Sequence, residues 1–141
     1  MRQVVFSVSS LLIGMALLQL GNGSLQTLLS VRLAEAGEAP WLIGLVMAQY
    51  SVGIVLGTLY GYKLIMTVGH IRAFAAFGSA MSAITLGHAF ITDIWAWGLF
   101  RFLIGACAVG MLMCVESWLN ARTDNKNRGQ VFSLYVITVY L

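Results

Sequence analysis

Charged residues are scarce in this 141-residue chain: Lys, Arg, Asp and Glu make up 9% of it, whereas 60% of the residues are hydrophobic. Soluble domains carry about 25% charged residues, so the composition excludes an ordinary water-soluble protein. The mean hydropathy of +0.88 indicates an integral membrane protein instead. Since a membrane-spanning helix needs ~20 mainly apolar residues, the length accommodates four spans and leaves no room for a soluble domain.

Cysteine is also scarce, with two residues. Cys107 and Cys114 lie seven residues apart inside one apolar segment, so we interpret them as small buried hydrophobic residues rather than as a disulfide or a metal pair. His88, near the outer end of the third span, we interpret as an interfacial residue. The sequence lacks a metal-ligand cluster, a nucleophile elbow and a phosphate-binding loop beside a strand. We therefore predict no enzyme, no catalytic residue, no metal and no cofactor.

The few basic residues that are present are distributed unevenly along the chain. The formal net charge is +3, but these residues lie in short loops between apolar spans, which argues against a nucleic-acid partner. One side of the membrane receives Arg2, Lys63, Arg72, Arg122, Lys126 and Arg128, and the other receives Arg32 among Glu35, Glu38 and Asp93. Because cytoplasmic loops carry an excess of Lys and Arg, we predict that the basic side and the N-terminus are cytoplasmic.

Apolar segments predict four complete transmembrane helices and the start of a fifth. They cover about residues 4–29, 41–62, 72–91, 95–119 and 129–141. A secretory signal peptide is an alternative for the first, but this span is about twice the ~7–15 residues of a signal's apolar region. The fifth covers about half a bilayer at 1.5 Å per residue. We therefore expect an all-α integral membrane protein and a fragment of a longer chain.

The first span carries a polar stripe. Gln19, Asn22 and Gln26 stand at i, i+3 and i+7, so they share one helix face, with two glycines and a serine beside them that we expect to loosen the helix. Polar groups within a membrane face a cavity or another helix. One interpretation is a substrate-facing wall, since interrupted helices line the binding sites of many transporters. The other is interhelical hydrogen bonding that only holds the bundle together.

Glycines four residues apart mark the second span. Gly53, Gly57 and Gly61 share one face, and small residues let a neighbouring helix approach closely in lipid. Gln49 and Tyr50 lie on the same face. These two side chains either line a cavity or, for the tyrosine, place a hydroxyl near the membrane interface.

The fourth span contains a charged residue, Arg101, which shares a narrow arc of the helix with Gly105 and Glu116. Gly105, like the three glycines of the second span, is a candidate for helix packing. Arg101 is a candidate for a substrate or ion pathway. The alternative is an arginine ~9 Å below the outer surface that snorkels to the headgroups. Glu116 is a candidate for a conformational charge network with Arg72. Alternatively, it is an ordinary acid at the cytoplasmic edge, paired with the basic loop that follows.

Two segments resemble signatures of the major facilitator superfamily (MFS). The segment around Gly69 and Arg72 resembles Gly-x-x-x-Asp-Arg-x-Gly-Arg-Arg/Lys, although Met66 and Thr67 replace the Asp and Arg. Residues 101–105 resemble Arg-x-x-Gln-Gly, although an isoleucine replaces the glutamine.

Three further segments narrow this resemblance to the YcaD-like bacterial subgroup of the superfamily. They are Glu116-Ser117-Trp118-Leu119-Asn120, Gly69-His70-Ile71-Arg72-Ala73-Phe74 and Arg128-Gly129.

The resemblance implies an MFS-type helical bundle and a secondary active transporter of small solutes, working by alternating access in a bacterial inner membrane. The implied partners are the lipid bilayer, a small-molecule substrate, protons as a candidate coupling ion, and the missing C-terminal half of the same chain. The pathway candidates are Gln19, Asn22, Gln26, Gln49, Tyr50 and Arg101. Two alternatives remain open: a small four-helix multidrug-type exporter, whose known members carry a first-helix glutamate that is absent here, and a non-transporting membrane subunit.

Overall fold

A computed structural model describes residues 2–122 and 128–139, and every regular element within them is a helix, which confirms the all-α class. The elements are α1 (Arg2–Glu35), α2 (Pro40–Val68), α3 (His70–Phe90), α4 (Ile94–Arg122) and α5 (Arg128–Val139). Four segments are long and apolar enough to cross a membrane: Ser9–Glu35, Pro40–Val68, His70–Phe90 and Ile94–Ala121. The architecture is therefore four candidate spans followed by a shorter helix.

The helices are longer than the apolar segments that predicted them. α2 has 29 residues, about 44 Å at 1.5 Å per residue, and it exceeds the ~30 Å hydrocarbon core. Lys63, predicted to lie in a loop, is inside this helix. The hydropathy pattern therefore located the apolar part of each helix but not the helix ends, because backbone hydrogen bonding continues beyond the lipid.

Two helices end at glycines with positive φ. At the end of α1, Gly37 (φ 79°) allows the amides of Gly37 and Glu38 to bond to the carbonyls of Ala34 and Leu33, each at 3.1 Å. This pair of bonds is a Schellman motif. Pro40 then occupies the first turn of α2, as expected from its fixed φ and missing amide hydrogen.

The connection between α2 and α3 is a single residue, Gly69, with φ 94° and ψ 152°, a conformation that glycine adopts without a steric penalty. The cytoplasmic loop predicted here is therefore a one-residue break between two long helices. Between α3 and α4, the Asp93 carboxylate accepts a hydrogen bond from the amide of Ala96 at 2.9 Å and caps α4.

α4 is the central helix of the bundle. It packs extensively against α2 on one side and α3 on the other, whereas α1 makes smaller contacts with α2, α4 and α5. Its buried residues include Trp97, Ile104, Met111, Val115 and Leu119. These side chains belong to the core of the described structure.

Candidate functional site

Arg101 lies in the interior of the helix bundle. Its side chain is fully buried, at 0% exposure, and it points across to α1. One terminal nitrogen donates to Asn22 Oδ1 at 3.2 Å and the other donates to Gln26 Oε1 at 3.3 Å. The snorkelling alternative therefore does not describe this arginine, because the guanidinium is bonded to a neighbouring helix and not to the headgroup region.

Tyr50 of α2 completes the arrangement. The guanidinium carbon of Arg101 lies 4.6 Å from the centre of the Tyr50 ring, within the range of a cation–π interaction. The amide nitrogen of Asn22 donates to the Tyr50 hydroxyl at 3.2 Å. Three helices thus contribute to one polar group of side chains, Asn22, Gln26, Tyr50 and Arg101, which we call the Arg101 cluster.

Close packing between α2 and α4 brings Tyr50 to Arg101. A Cβ atom built on Gly53 overlaps the backbone carbonyl of Phe102, and one built on Gly105 overlaps the backbone carbonyl of Tyr50. The two helices therefore touch backbone to backbone, one turn along from the cluster on each side. Any larger residue at either glycine moves the helices apart and takes the Tyr50 ring away from the guanidinium.

The other predicted packing glycines make looser contacts. A Cβ built on Gly57 lies 2.8 Å from Ala106 Cα, whereas one built on Gly61 lies 3.6 Å from Met113 Sδ. The close approach thus weakens along α2 towards Gly61. Gly110, which the sequence did not single out, also has a close neighbour, since its Cβ would lie 2.6 Å from the Phe77 ring, but that neighbour is a side chain and not backbone.

The polar stripe of α1 lies on a continuous helix. α1 runs without interruption from Arg2 to Glu35, so the expectation that its glycines loosen the helix was wrong. The reason is that an isolated glycine costs a helix only ~1 kcal/mol, which the packing of its neighbours offsets. Gln19 is half-buried and has no hydrogen bond to the Arg101 cluster in the described part of the chain. Gln49 is also half-buried and lies against Gly98.

No carboxylate pairs with Arg101 among the residues that the structure describes. The described acids lie at helix ends: Asp93 precedes α4, ~12 Å along the axis from Arg101, and Glu116 lies ~22 Å in the other direction. The guanidinium therefore has only amide oxygens and an aromatic face as partners, and its Nε–H is buried without an acceptor. A buried charge left in this condition carries a desolvation penalty that its neutral partners offset only in part.

The predicted charge network lies at the opposite end of α4. Glu116 accepts a 2.6 Å hydrogen bond from the Tyr135 hydroxyl of α5, whereas Arg72 is exposed. No ion pair joins the two within the described residues. His70 Nε2 and Ser117 Oγ are 2.8 Å apart, so the start of α3 does meet the end of α4, and coupling between Arg72 and Glu116 stays a prediction.

Part of this region falls outside the described residues. Residues 123–127 of the predicted cytoplasmic loop are not covered, nor are the side chains of Arg122 and Arg128, with which Glu116 was alternatively expected to pair.

The environment of His88 was not predicted from the sequence. It is buried, at 4% exposure, so its side chain faces the interior of the bundle, whereas its depth at the membrane interface stays a prediction. Its ring packs on Phe100 and Trp97, with centroid distances of 5.0 and 5.9 Å. Nδ1 lies 3.0 Å from the carbonyl oxygen of Ile84, and Nε2 is buried without a partner. Trp97 and Phe100, three residues apart at the start of α4, share one helix face. This aromatic face was the only sequence feature that could have indicated a packing partner for His88.

Across residues 2–122 and 128–139, no group of three or more His, Cys, Asp or Glu side chains is placed to hold a metal ion. The polar chemistry of the described bundle is instead a cation surrounded by neutral hydrogen-bonding groups. Such a group of side chains can recognise a polar or anionic solute by hydrogen bonding and charge.

Comparison with known proteins gives several relatives. The chain is 31% identical over 134 residues to proteins described as "Uncharacterized MFS-type transporter YcaD" from Salmonella arizonae, Salmonella newport and Salmonella typhi. The match covers 95% of this chain and 35% of each relative, so the chain spans about a third of their length. No family model matches it, and no solved structure matches it. The similarity confirms the resemblance to the facilitator superfamily and the multi-pass membrane character of the chain.

Proposed function

On the basis of this similarity, we propose that the chain is the N-terminal part of a secondary active transporter that moves small solutes by alternating access. In this proposal residues 1–141 form part of one MFS transporter domain, and the remaining helices come from the rest of the longer chain, which includes its C-terminal half. The observation that carries the proposal is the Arg101 cluster, in which three spans place polar side chains around one buried cation. Polar and charged groups inside membrane spans mark substrate or ion pathways.

The membrane arrangement follows from the distribution of basic residues. The N-terminus, the Gly69 break and the segment between α4 and α5 face the cytoplasm of a bacterial inner membrane. Arg101 then lies ~10 Å below the outer end of α4, counted from Ile94. Asn22, Gln26 and Tyr50 line the solute pathway with it, and Gln19 and Gln49 extend that pathway along α1 and α2.

Alternating access switches a transporter between two conformational states. Arg72 and Glu116 favour one of these states through a cytoplasmic charge network, whose location is supported by the His70–Ser117 contact. An exposed ion pair contributes only ~0–1 kcal/mol. A bias of ~1.4 kcal/mol nevertheless changes a two-state equilibrium tenfold, so a small network is enough to favour one state without affecting folding.

Transport by the full-length protein in reconstituted vesicles tests the proposal. Uptake of a panel of radiolabelled small solutes is compared between the wild type and Tyr50→Phe, with and without an imposed proton gradient. We expect uptake of at least one solute class, at a rate that Tyr50→Phe lowers, because Asn22 loses its hydroxyl partner. Absence of uptake for every solute, from protein shown to be folded, favours a non-transporting membrane subunit and contradicts the proposal.

A further inference from the structure

The partners of Arg101 leave its charge uncompensated. Its two hydrogen-bond acceptors are amide oxygens, at 3.2 and 3.3 Å, and both distances are long compared with the ~2.7–2.9 Å of a charge-assisted bond between a guanidinium and a carboxylate. A guanidinium is protonated at all physiological pH values. The side chain therefore cannot become neutral, and the buried positive charge persists.

The geometry around the guanidinium leaves donors free. Arginine has five N–H donors in a planar fork, and hydrogen bonds to Asn22 and Gln26 occupy only one on each terminal nitrogen. The buried Nε–H has no acceptor. The free donors have the arrangement that a carboxylate recognises through two parallel hydrogen bonds.

One of the two amide partners of Arg101 is placed so that a ligand can displace it. Gln26 is exposed, whereas Asn22 is buried at 9% exposure and bonded to Tyr50. Rotation of the Gln26 side chain uncovers one terminal nitrogen of Arg101 without breaking the contact between Asn22 and Tyr50. The Tyr50 ring stays against the guanidinium and excludes water from that face.

We propose that Arg101 is the binding site for the carboxylate of a small anionic solute, with the Gln26 amide oxygen occupying that position in the unliganded state. The inference rests on the proposed transport function and specifies its substrate class. Asn22 and Tyr50 are positioning residues, because they hold the guanidinium on one side while the solute binds on the other. An anion compensates the buried charge, as neutral amides cannot.

The test uses the purified full-length protein in uncharged detergent and follows its melting temperature. The probes are benzoate, succinate and glutarate, each paired with its neutral amide at matched ionic strength. Arg32→Gln is the control variant, since it removes an exposed arginine at the far end of α1. A ligand that binds only the folded state raises the melting temperature.

We expect at least one carboxylate, and no amide, to raise the melting temperature of the wild type and of Arg32→Gln. Arg101→Gln should lose the effect. If Arg101→Gln does not fold, Arg101→Lys replaces it. This variant keeps the charge but loses the fork, and we expect its affinity for the stabilising carboxylate to fall at least tenfold.

The inference is overturned if an acid and its amide raise the melting temperature equally. It is also overturned if the stabilisation is unchanged in Arg101→Gln, or if the affinity is unchanged in Arg101→Lys. A third contradicting result is that no carboxylate changes the melting temperature of the wild type. The last result indicates that the counter-charge is an acid elsewhere in the full-length protein.

Uptake measurements separate this inference from the proposed function. Carboxylate binding without uptake of any solute leaves the anion site standing and contradicts transport. Uptake of a neutral solute at a rate that Arg101→Gln does not change leaves transport standing and contradicts the anion site.

Discussion

Gly53→Ala tests whether close packing between α2 and α4 holds the candidate site together. The added Cβ would overlap the carbonyl oxygen of Phe102 and lie 2.9 Å from its carbonyl carbon and 3.0 Å from the amide nitrogen of Ala106. Non-bonded carbon atoms pack at ~3.5–4.0 Å. All three clashing atoms belong to the backbone of α4, so no side-chain rotation relieves the overlap and the helices must separate.

The magnitude follows from two opposing terms. Overpacking a close contact costs ~1–3 kcal/mol, and the value here lies near the upper limit because backbone is displaced. Replacing glycine by alanine in a helix contributes ~0.5–1 kcal/mol in the other direction. We therefore expect Gly53→Ala to lower the free energy of unfolding by about 2–2.5 kcal/mol.

Gly44→Ala is the matched control, because this glycine is also in α2 and a Cβ built on it has no atom within 4 Å. Only the gain from replacing glycine by alanine in a helix then applies, and we expect the stability of Gly44→Ala to be unchanged or increased. The assay is unfolding of the purified full-length protein by sodium dodecyl sulfate in mixed micelles, followed by circular dichroism. A Gly53→Ala protein as stable as the wild type would refute the argument, since it would show that the two backbones are not in contact.

Four further outcomes are expected from the structure and the sequence. Gly57→Leu should reduce the amount of folded protein at the membrane, because even a Cβ built on Gly57 meets α4; the measurement is detergent-stable expression. Wild-type expression and thermal stability would indicate that this glycine faces lipid. A cysteine placed at Asn125, in a background without native cysteines, should resist an impermeant maleimide added outside intact cells, and its labelling would reverse the proposed topology. The double-mutant cycle of Glu116→Gln and Arg72→Gln on transport rate should be non-additive, whereas additive effects would show uncoupled residues. Tyr135→Phe removes a hydrogen bond to a carboxylate and should lower the free energy of unfolding by about 1.5–3 kcal/mol. In the Glu116→Gln background the loss should fall to about 0.5–1.5 kcal/mol, because the glutamine oxygen still accepts but carries no charge.

Sequence patterns located the polar residues of the candidate site but not their contacts. Asn22 and Gln26 were found by their spacing on one face, and Tyr50 and Arg101 by their position within apolar spans. Each of these signals is local, because helix periodicity and hydropathy involve residues within a few turns of one another. Whether Arg101 snorkels or is buried depends on which helices surround it, and local patterns contain no information on that point.

The environment of His88 is a second example of what local patterns do not contain. Its place near a helix end predicted its depth in the membrane, but not that its ring is buried against the aromatic side chains of α4. The one-residue connection at Gly69 was likewise predicted as a loop. The burial of His88 was missed because hydropathy reports the depth of a segment in the membrane and not the direction in which its side chains point. The length of the Gly69 connection was missed because helical hydrogen bonding continues beyond the apolar residues.

The sequence by itself determined that this chain is an all-α membrane protein, where its apolar segments lie, and which superfamily it resembles, because transfer into lipid depends on composition summed over about 20 residues. Only the tertiary structure decided that Arg101, Tyr50, Asn22 and Gln26 form one cluster. The deciding interaction is the contact between α2 and α4 at Gly53 and Gly105, where the absence of side chains lets two backbones touch. That contact fixes the rotation of each helix about its axis, and this rotation determines which polar side chains face the interior and which face lipid.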